Sequence, residues 1–394
     1  YLRPGYRWED FEAAERLFER AISLDPDFAL AHASLSRIHG LMYWEKFDLS
    51  EERLEAQEME ARESLRIQPD LPQAHAAMGW MHYVRGDFQK ALEDYRLALD
   101  GLPNDAEIVA RIGYTYRRLG NWPEVFLAFE RATRLNPRNA NLFYDLGGHS
   151  FASTRQYAEA VKAYDRALAL APDLHDAALR KGYIYLQWSG QLDSLRAAMA
   201  RLPSSLHLPE LDLGRADLAL WERDPEGLLR VLDAIPGSVI ETQLSYLPKA
   251  VYAAWAHRLR GDEAAALAAF DSARALLEPL ARERADDDRV FLALGYTYAG
   301  LGRGADAAAS LADAVALRQS GDTAHQPLQI VEVSARILAQ AGLLDEAIDR
   351  LETVLAGDSP VSVLGLRLDP LLDPLREHPR FRALLDQNRN QVEP

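Results

Sequence analysis

The sequence predicts an all-α fold: a right-handed superhelical solenoid of antiparallel helix pairs, closed by a C-terminal helical cap. Two observations carry this. Pro69, Pro103 and Pro137 are spaced by 34 residues (103 − 69 and 137 − 103). The lines Pro72–Asp105 and Ala106–Asn139 also carry the same kinds of residue at the same places. In the first these are His75, Met78, Gly79, His82, Gly86, Ala91, Tyr95, Ala98 and Pro103. Their counterparts in the second are Val109, Ile112, Gly113, Tyr116, Gly120, Val125, Phe129, Ala132 and Pro137. A fixed period of this length means stacked units that cannot bury their apolar faces alone.

Each place has a physical reason. Gly79 and Gly113 fall mid-helix, where glycine costs about 1 kcal/mol against alanine. That cost is tolerated where a partner helix must come close. Ala91 and Ala98 are small on the facing helix for the same reason, and Tyr95 and Phe129 fill the gap. Gly86-Asp87 and Gly120-Asn121 break the chain between paired helices. Pro103 and Pro137 end the second helix, because proline lacks a donor and clashes inside a helix.

Composition narrows the function classes. The 394-residue chain has 44 basic and 60 acidic residues, a net charge of −16. That disfavours non-specific binding to nucleic acid or an anionic membrane. Cysteine is absent, so disulfides, thiol nucleophiles and cysteine-ligated zinc are excluded. No apolar run approaches the length of a membrane span, and no signal peptide opens the chain. Residue 1 is Tyr rather than Met, so the chain reads as a fragment or processed product. A cytoplasmic location is expected.

In order, Ala14, Phe18, Ala21 and Pro26 mark the second half of a first repeat. Its first helix would lie before Tyr1, or be replaced by Tyr1–Tyr6. Ala29–Pro69 is a repeat with extra residues around Met42–Leu49, including Tyr43, Trp44 and Phe47. These aromatics read as a loop packing on its own helices, or as a contact patch. Ala140–Pro172 is one residue longer than standard. His175–Leu202 starts as a repeat (Gly182, Tyr185) and decays. Leu202–Gly237, with Pro203, Pro209, Pro225 and Pro236, is the least regular stretch and reads as a joint. Thr242–Asp286 resumes with a long second helix. Asp288–Arg318 and Leu328–Ser359 are further repeats. Val361–Gln387 should cap the last one. The expected division is an N-terminal array at 1–205, a joint at 206–240, a degenerate array at 241–360 and a cap at 361–394, without a sheet.

On these residues the chain resembles the tetratricopeptide repeat family, strongly over 72–172 and 288–356 and weakly over 190–240. A narrower resemblance lies in Tyr1-Leu2-Arg3, in Leu24-Asp25-Pro26-Asp27-Phe28-Ala29, and in Leu368–Arg376 with Pro379-Arg380-Phe381. These look like the C-terminal repeat arms of bacterial multidomain signalling proteins, where the arm follows a kinase, a nucleotidyl cyclase or a winged-helix domain. No such effector domain is present in this sequence.

No catalytic motif emerges. There is no phosphate loop of P-loop form, no His-Glu-x-x-His and no Gly-x-Ser-x-Gly elbow. His32 and His75 share one repeat position, and His39 and His82 another; all four read as packed, hydrogen-bonded histidines. Asp286-Asp287-Asp288 reads as a loop and helix N-cap. No catalytic residue, metal or cofactor is expected.

The resemblance implies a concave face lined by the second, fifth, ninth and twelfth positions of each repeat. Counted onto this chain, these give Arg37, Gln73, Trp80, Tyr83, Tyr114, Arg117, Asn141, Tyr144, Phe151, Tyr183, Leu186 and Tyr296, with Arg118 adjacent. Aromatic residues plus arginine are the composition of binding hot spots. The other reading, for Tyr114 and Tyr183 above all, is packing against the neighbouring repeat. The expected function is a non-enzymatic scaffold for a peptide or protein segment carrying acidic side chains or a free carboxylate, with neither nucleic acid nor membrane as partner. The alternative is a ligand-sensing or enzymatic module with a pocket at 203–237.

Overall fold

The computed structural model describes residues 8–203, 205–320 and 328–387. The Tyr1–Tyr6 segment, with its Tyr1-Leu2-Arg3 motif, lies outside them. Among the described residues, nine turns between consecutive helices hold a residue in the left-handed region, with φ between 54° and 83°. They are Lys46, Gly86, Gly120, Arg155, Gly190, Arg223, Gly261, Gly302 and Gly342. Six are glycine, which takes this conformation without steric cost. The chain is an all-α solenoid of antiparallel helix pairs, and it divides into two compact units.

The first unit lies within Tyr1–Ser150. It holds α1 (Trp8–Leu24), α2 (Ala29–Trp44), α3 (Glu51–Ile67), α4 (Pro72–Val84), α5 (Phe88–Gly101), α6 (Ala106–Arg118), α7 (Trp122–Leu135) and α8 (Ala140–Asp145). A Cβ on Gly79 would lie 2.7 Å from the Tyr95 ring, so α4 and α5 meet there. Ala91, Tyr95 and Ala98 are fully buried against this seam.

The extra residues of the second repeat lengthen α2 by about a turn over α4 and widen its connection to α3, residues 45–50. Its end carries Trp44 onto Trp80 and Tyr83, at ring distances of 5.8 and 5.3 Å. Phe47 turns the other way, onto Trp8 and Phe11. After α8 the chain makes a π-helical turn, Leu146–Ala152. A π turn accommodates one extra residue, which accounts for the long repeat at 140–172.

The second unit lies within Phe151–Gln319 and Gln326–Pro394. It holds α9 (Tyr157–Leu170), α10 (His175–Ser189), α11 (Asp193–Ala200), α12 (Pro209–Trp221), α13 (Pro225–Ala234), β1 (Val239–Glu241), β2 (Tyr246–Pro248) and α14 (Lys249–Leu259). It continues with α15 (Glu263–Glu283), α16 (Asp288–Gly300), α17 (Gly304–Ser320), α18 (Leu328–Gln340), α19 (Leu344–Ala356), α20 (Val363–Leu368), a 3-10 turn (Pro370–Leu375) and α21 (Pro379–Gln387).

Two expectations need correction here. The proline-rich stretch is a full helix pair, α12 and α13. Pro209 and Pro225 each open a helix, where a missing N–H costs nothing. The expected absence of any sheet also fails: β1 and β2 pair antiparallel, Val239 opposite Pro248 and Glu241 opposite Tyr246. Buried Arg289 holds this hairpin, donating to the Thr242 carbonyl at 2.7 Å and to Glu241 at 3.1 Å.

The C-terminal segment does more than cover the last pair. It packs there, with Gln340 Nε2 donating to the Leu371 carbonyl at 2.7 Å and Phe381 buried. It also reaches the start of the same unit. Arg155 donates to the carbonyls of Val361 (2.9 Å) and Val354 (3.0 Å). Tyr157 Oη donates to the Pro360 carbonyl at 2.9 Å. Ser362 Oγ donates to the Gln187 carbonyl on α10, and Arg223 holds Asp373 with two bonds of 2.7 and 2.6 Å.

Candidate functional site

The histidines resolve as structural. His32 and His75 point Nε2 at the carbonyls of Pro26 and Pro69, both at 3.0 Å. Each satisfies the carbonyl of a proline that follows the previous helix. Where Val109 takes this position, Arg131 donates to the Pro103 carbonyl instead, at 2.6 Å. His39 contacts Arg53 at 2.8 Å and is held at a pKa of about 4 by burial and then by that guanidinium, against Glu15 and Asp48. Asp287 caps α16 and pairs with Arg289, and Asp288 pairs with Arg318. Among the described residues no three His, Asp or Glu side chains converge as metal ligands.

In the first unit, four of the expected groove residues come together. Trp80 and Tyr83 are buried, 7% and 5% exposed, and stack at 5.4 Å. They form a floor beneath arginines. Arg111 lies 5.1 Å over Trp80. Arg118 lies 5.2 Å over Trp44 and donates from Nε to Tyr83 Oη at 3.1 Å. Arg117 stands beside it, and its Nε has no hydrogen-bond partner. Neither Arg117 nor Arg118 has a carboxylate partner among the described residues.

The electrostatics follow from this crowding. Burial, and then the neighbouring Arg118, pushes the Arg117 guanidinium below its usual range. Burial raises the Tyr83 phenol, but Arg118 and Arg117 outweigh it and hold its pKa below the ordinary value. An anion placed here would relieve the repulsion between two cations.

The other groove candidates sit differently. Arg37 pairs with Glu107 at 2.8 Å. Gln73 is half-buried, with Oε1 unpartnered. Tyr114 donates to Asp145 at 2.5 Å and meets Phe129 and His149 edge-on. Asn141 is half-buried in the first turn of α8, and Tyr144 is half-buried near its end. A depression of about 650 Å³ at the α4–α5 turn is no better a site. Its charges pair with one another or with near neighbours: Arg85 with Glu58, Lys90 with Asp87, His82 with Asp94.

Sequence counting missed Glu107, although it holds the second place in α6 as Gln73 does in α4. Glu107 is held at a pKa of about 2; burial opposes this, but Arg111 and Arg37 outweigh it.

Family models for the tetratricopeptide repeat match residues 110–173, 146–188 and 6–28. The chain carries tetratricopeptide repeats. One stretch of 146 residues is 25% identical to protein O-mannosyl-transferase TMTC3 of Mus musculus and 24% identical to that of Homo sapiens. It covers 34% of this chain and 15% of each of those proteins, so the chain spans only a small part of their length. Among solved structures, YrrB, described as a TPR protein with an unusual peptide-binding site, is 18% identical with a TM-score of 0.34. That match covers 46% of this chain and 91% of YrrB. MamA is 17% identical with a TM-score of 0.32, covering 42% of this chain and 90% of MamA. No described helix is long and apolar enough to cross a membrane.

In the second unit the tetratricopeptide register picks out another set. The residue six before the left-handed turn residue is Asp217 (223 − 217), Trp255 (261 − 255), Tyr296 (302 − 296) and Arg336 (342 − 336). Tyr183 stands seven before Gly190 (190 − 183). In the first unit the same rule gives Trp80 (86 − 80) and Tyr114 (120 − 114). Tyr183 and Tyr296 are legible from the sequence. Asp217 and Trp255 carried the same signal, hidden by the prolines before α12 and the hairpin before α14, and Arg336 carried it in a repeat that the sequence shows.

Proposed function

We propose that this chain is a non-enzymatic scaffold that holds a carboxylate-bearing peptide or protein segment on the inner face of its first unit. The segment would present acidic side chains or a free C-terminus. The observation that carries the reading is the Arg117–Arg118 pair. It is a locally cationic spot on a chain of net charge −16, with Arg118 seated over the rings of Trp44 and Tyr83 and with no carboxylate partner for either arginine among the described residues. Guanidinium suits this task, because its planar fork grips a carboxylate with two parallel bonds. Tetratricopeptide repeats are protein-interaction modules, and the arm would serve as the docking or regulatory part of a cytoplasmic signalling protein.

The test is capture of acidic peptides by the full chain, with C-terminally amidated and Glu→Gln versions alongside. Arg117→Ala or Arg118→Ala should weaken capture by about 2 kcal/mol, roughly thirtyfold. Glu93→Lys, on exposed α5 surface, should leave it intact. Equal capture of amidated and neutralised peptides, or normal capture by both arginine variants, would remove the assignment.

A further inference from the structure

The first helix of the first unit carries an apolar stripe that its own unit leaves uncovered. One side of α1 is core: Phe11 is fully buried against Ile38 and Met42 of α2, with Trp8, Ala14 and Phe18 packed around it. On the other side Leu17 is 71% exposed and Leu24 is 70% exposed, the highest values among the large apolar side chains of the described residues. Phe28 and Leu30 follow at the turn into α2 and are also exposed.

A single exposed leucine is ordinary, and Leu97 and Leu127 show the ordinary setting. Residues three and four places away are neighbours on a helix. For Leu97 these are Glu93, Asp94, Asp100 and Gly101, and for Leu127 they are Pro123, Glu124, Glu130 and Arg131. For Leu17 they are Ala13, Ala14, Arg20 and Ala21. Asp10 lies two turns before Leu17 on the same side, and Arg20 lies beside the stripe. Both are exposed and neither is ion-paired among the described residues; the Arg20 guanidinium reaches only Ser23 Oγ, at 3.4 Å.

We propose that this face of α1 binds α1 of a second copy of the chain, antiparallel, about a two-fold axis. Size and charge choose the same register. Leu17 opposite Ala13 and Asp10 opposite Arg20 are both centred on residue 15, so one placement of the second helix makes both contacts. In a two-fold pair each contact occurs twice. Alanine lets the two backbones come close and leucine fills the space beside it. The two free charges at the rim of the stripe then neutralise each other. A parallel copy would instead set Asp10 on Asp10 and Arg20 on Arg20. One pair of helices makes a small interface, so the dimer is in the micromolar range of affinity. The dimer does not depend on the peptide reading, whose residues lie on α2, α4 and α6.

Sedimentation velocity on the full chain, diluted from about 1 mM to about 1 µM, reads the association. The expected result is a reversible monomer–dimer equilibrium. Leu17→Glu should weaken it at least about tenfold, and Leu97→Glu on α5 should leave it unchanged. Asp10→Arg places arginine on arginine at both pairs, and Arg20→Asp places aspartate on aspartate. Each variant alone should dimerise at least about tenfold more weakly than the parent. Mixed in equal amounts, the two restore both ion pairs and should form a heterodimer of parental affinity. All these positions are exposed, and thermal melts check that each variant folds like the parent. A chain that is monomeric at every concentration overturns the proposal and leaves the face to a different protein. A dimer that survives Leu17→Glu overturns it by placing the contact elsewhere. Failure of the mixed variants to recover dimerisation overturns the antiparallel pairing, and the proposal with it.

Discussion

Arg155 and Arg223 stand 68 residues apart (223 − 155) at the same left-handed turn position, and both reach the same C-terminal segment. Gly261, Gly302 and Gly342 take this position elsewhere in the unit. A side chain at positive φ costs roughly 1–2 kcal/mol. Arg155 offsets that with charge-assisted bonds to two carbonyls, worth about 1.5–3 kcal/mol each. Arg155→Gly should therefore destabilise by a few kcal/mol. Arg223 pairs with Asp373 at a site about 40% exposed on both sides (42% and 38%). Such pairs are worth about 0–1 kcal/mol. Arg223→Gly should leave the melting temperature nearly unchanged. Equal losses in the two variants would show that the worth of their bonds is not what separates them.

Close approach at the helix seams ranks glycine substitutions. A Cβ at Gly79 would lie 2.7 Å from the Tyr95 ring, and at Gly113 3.0 Å from the Phe129 ring. Gly79→Leu and Gly113→Leu should each cost on the order of 1–3 kcal/mol. Among the alanine versions, Gly79→Ala should cost more. Urea melts of the four variants check the ranking, and parental midpoints throughout would mean the helix register is wrong.

Acid should act in opposite directions on Asp217 and His39. Burial raises Asp217 from 3.8 to about 6. The folded chain keeps a proton there that the unfolded chain releases, so this contribution is full below about pH 4 and lost as pH rises through 6. His39 is lowered from 6.5 to about 4, so its contribution is full above 6.5 and lost as pH falls through 4. Melting profiles across this range should lose stability at the acid end less steeply in His39→Gln, and more steeply in Asp217→Asn. Profiles parallel to the parent in both variants would refute the assignment.

Removing Leu368–Pro394 should do more than expose an end. It takes away Asp369 and Asp373 and uncovers a surface that buries Leu371, Leu372, Leu375 and Phe381. Arg336 would keep only Glu332. The truncated protein should melt earlier and aggregate, and light scattering with a thermal melt reads both. A monomer of parental stability would refute the role given to this segment.

Much of the fold was legible because its signals are local. The 34-residue spacing of Pro69, Pro103 and Pro137 and the glycines at 79 and 113 report on contacts within one helix pair. The site was less legible, because counting places a residue on a face without saying what covers it. Trp80 and Tyr83, counted onto that face, are roofed by Arg111 and Arg118. The reach of Arg155 to Val361 spans 206 residues, and no local pattern announces it. The hairpin at 239–248 was equally silent, since its anchor Arg289 lies beyond α15.

The C-terminal segment that grips both α9 and α19 has a consequence for how the second unit comes apart and how it can evolve. An open repeat array frays from its ends, and its stability is a sum over neighbours. An array whose last segment is bonded to its first helix has no loose end. It should unfold in one step, and hydrogen exchange should protect α9 and α18 alike. A duplicated or deleted helix pair would move the partners of Arg155, Gln187 and Arg223 out of reach. The number of pairs in this unit is thereby locked, where an open array can gain or lose one freely.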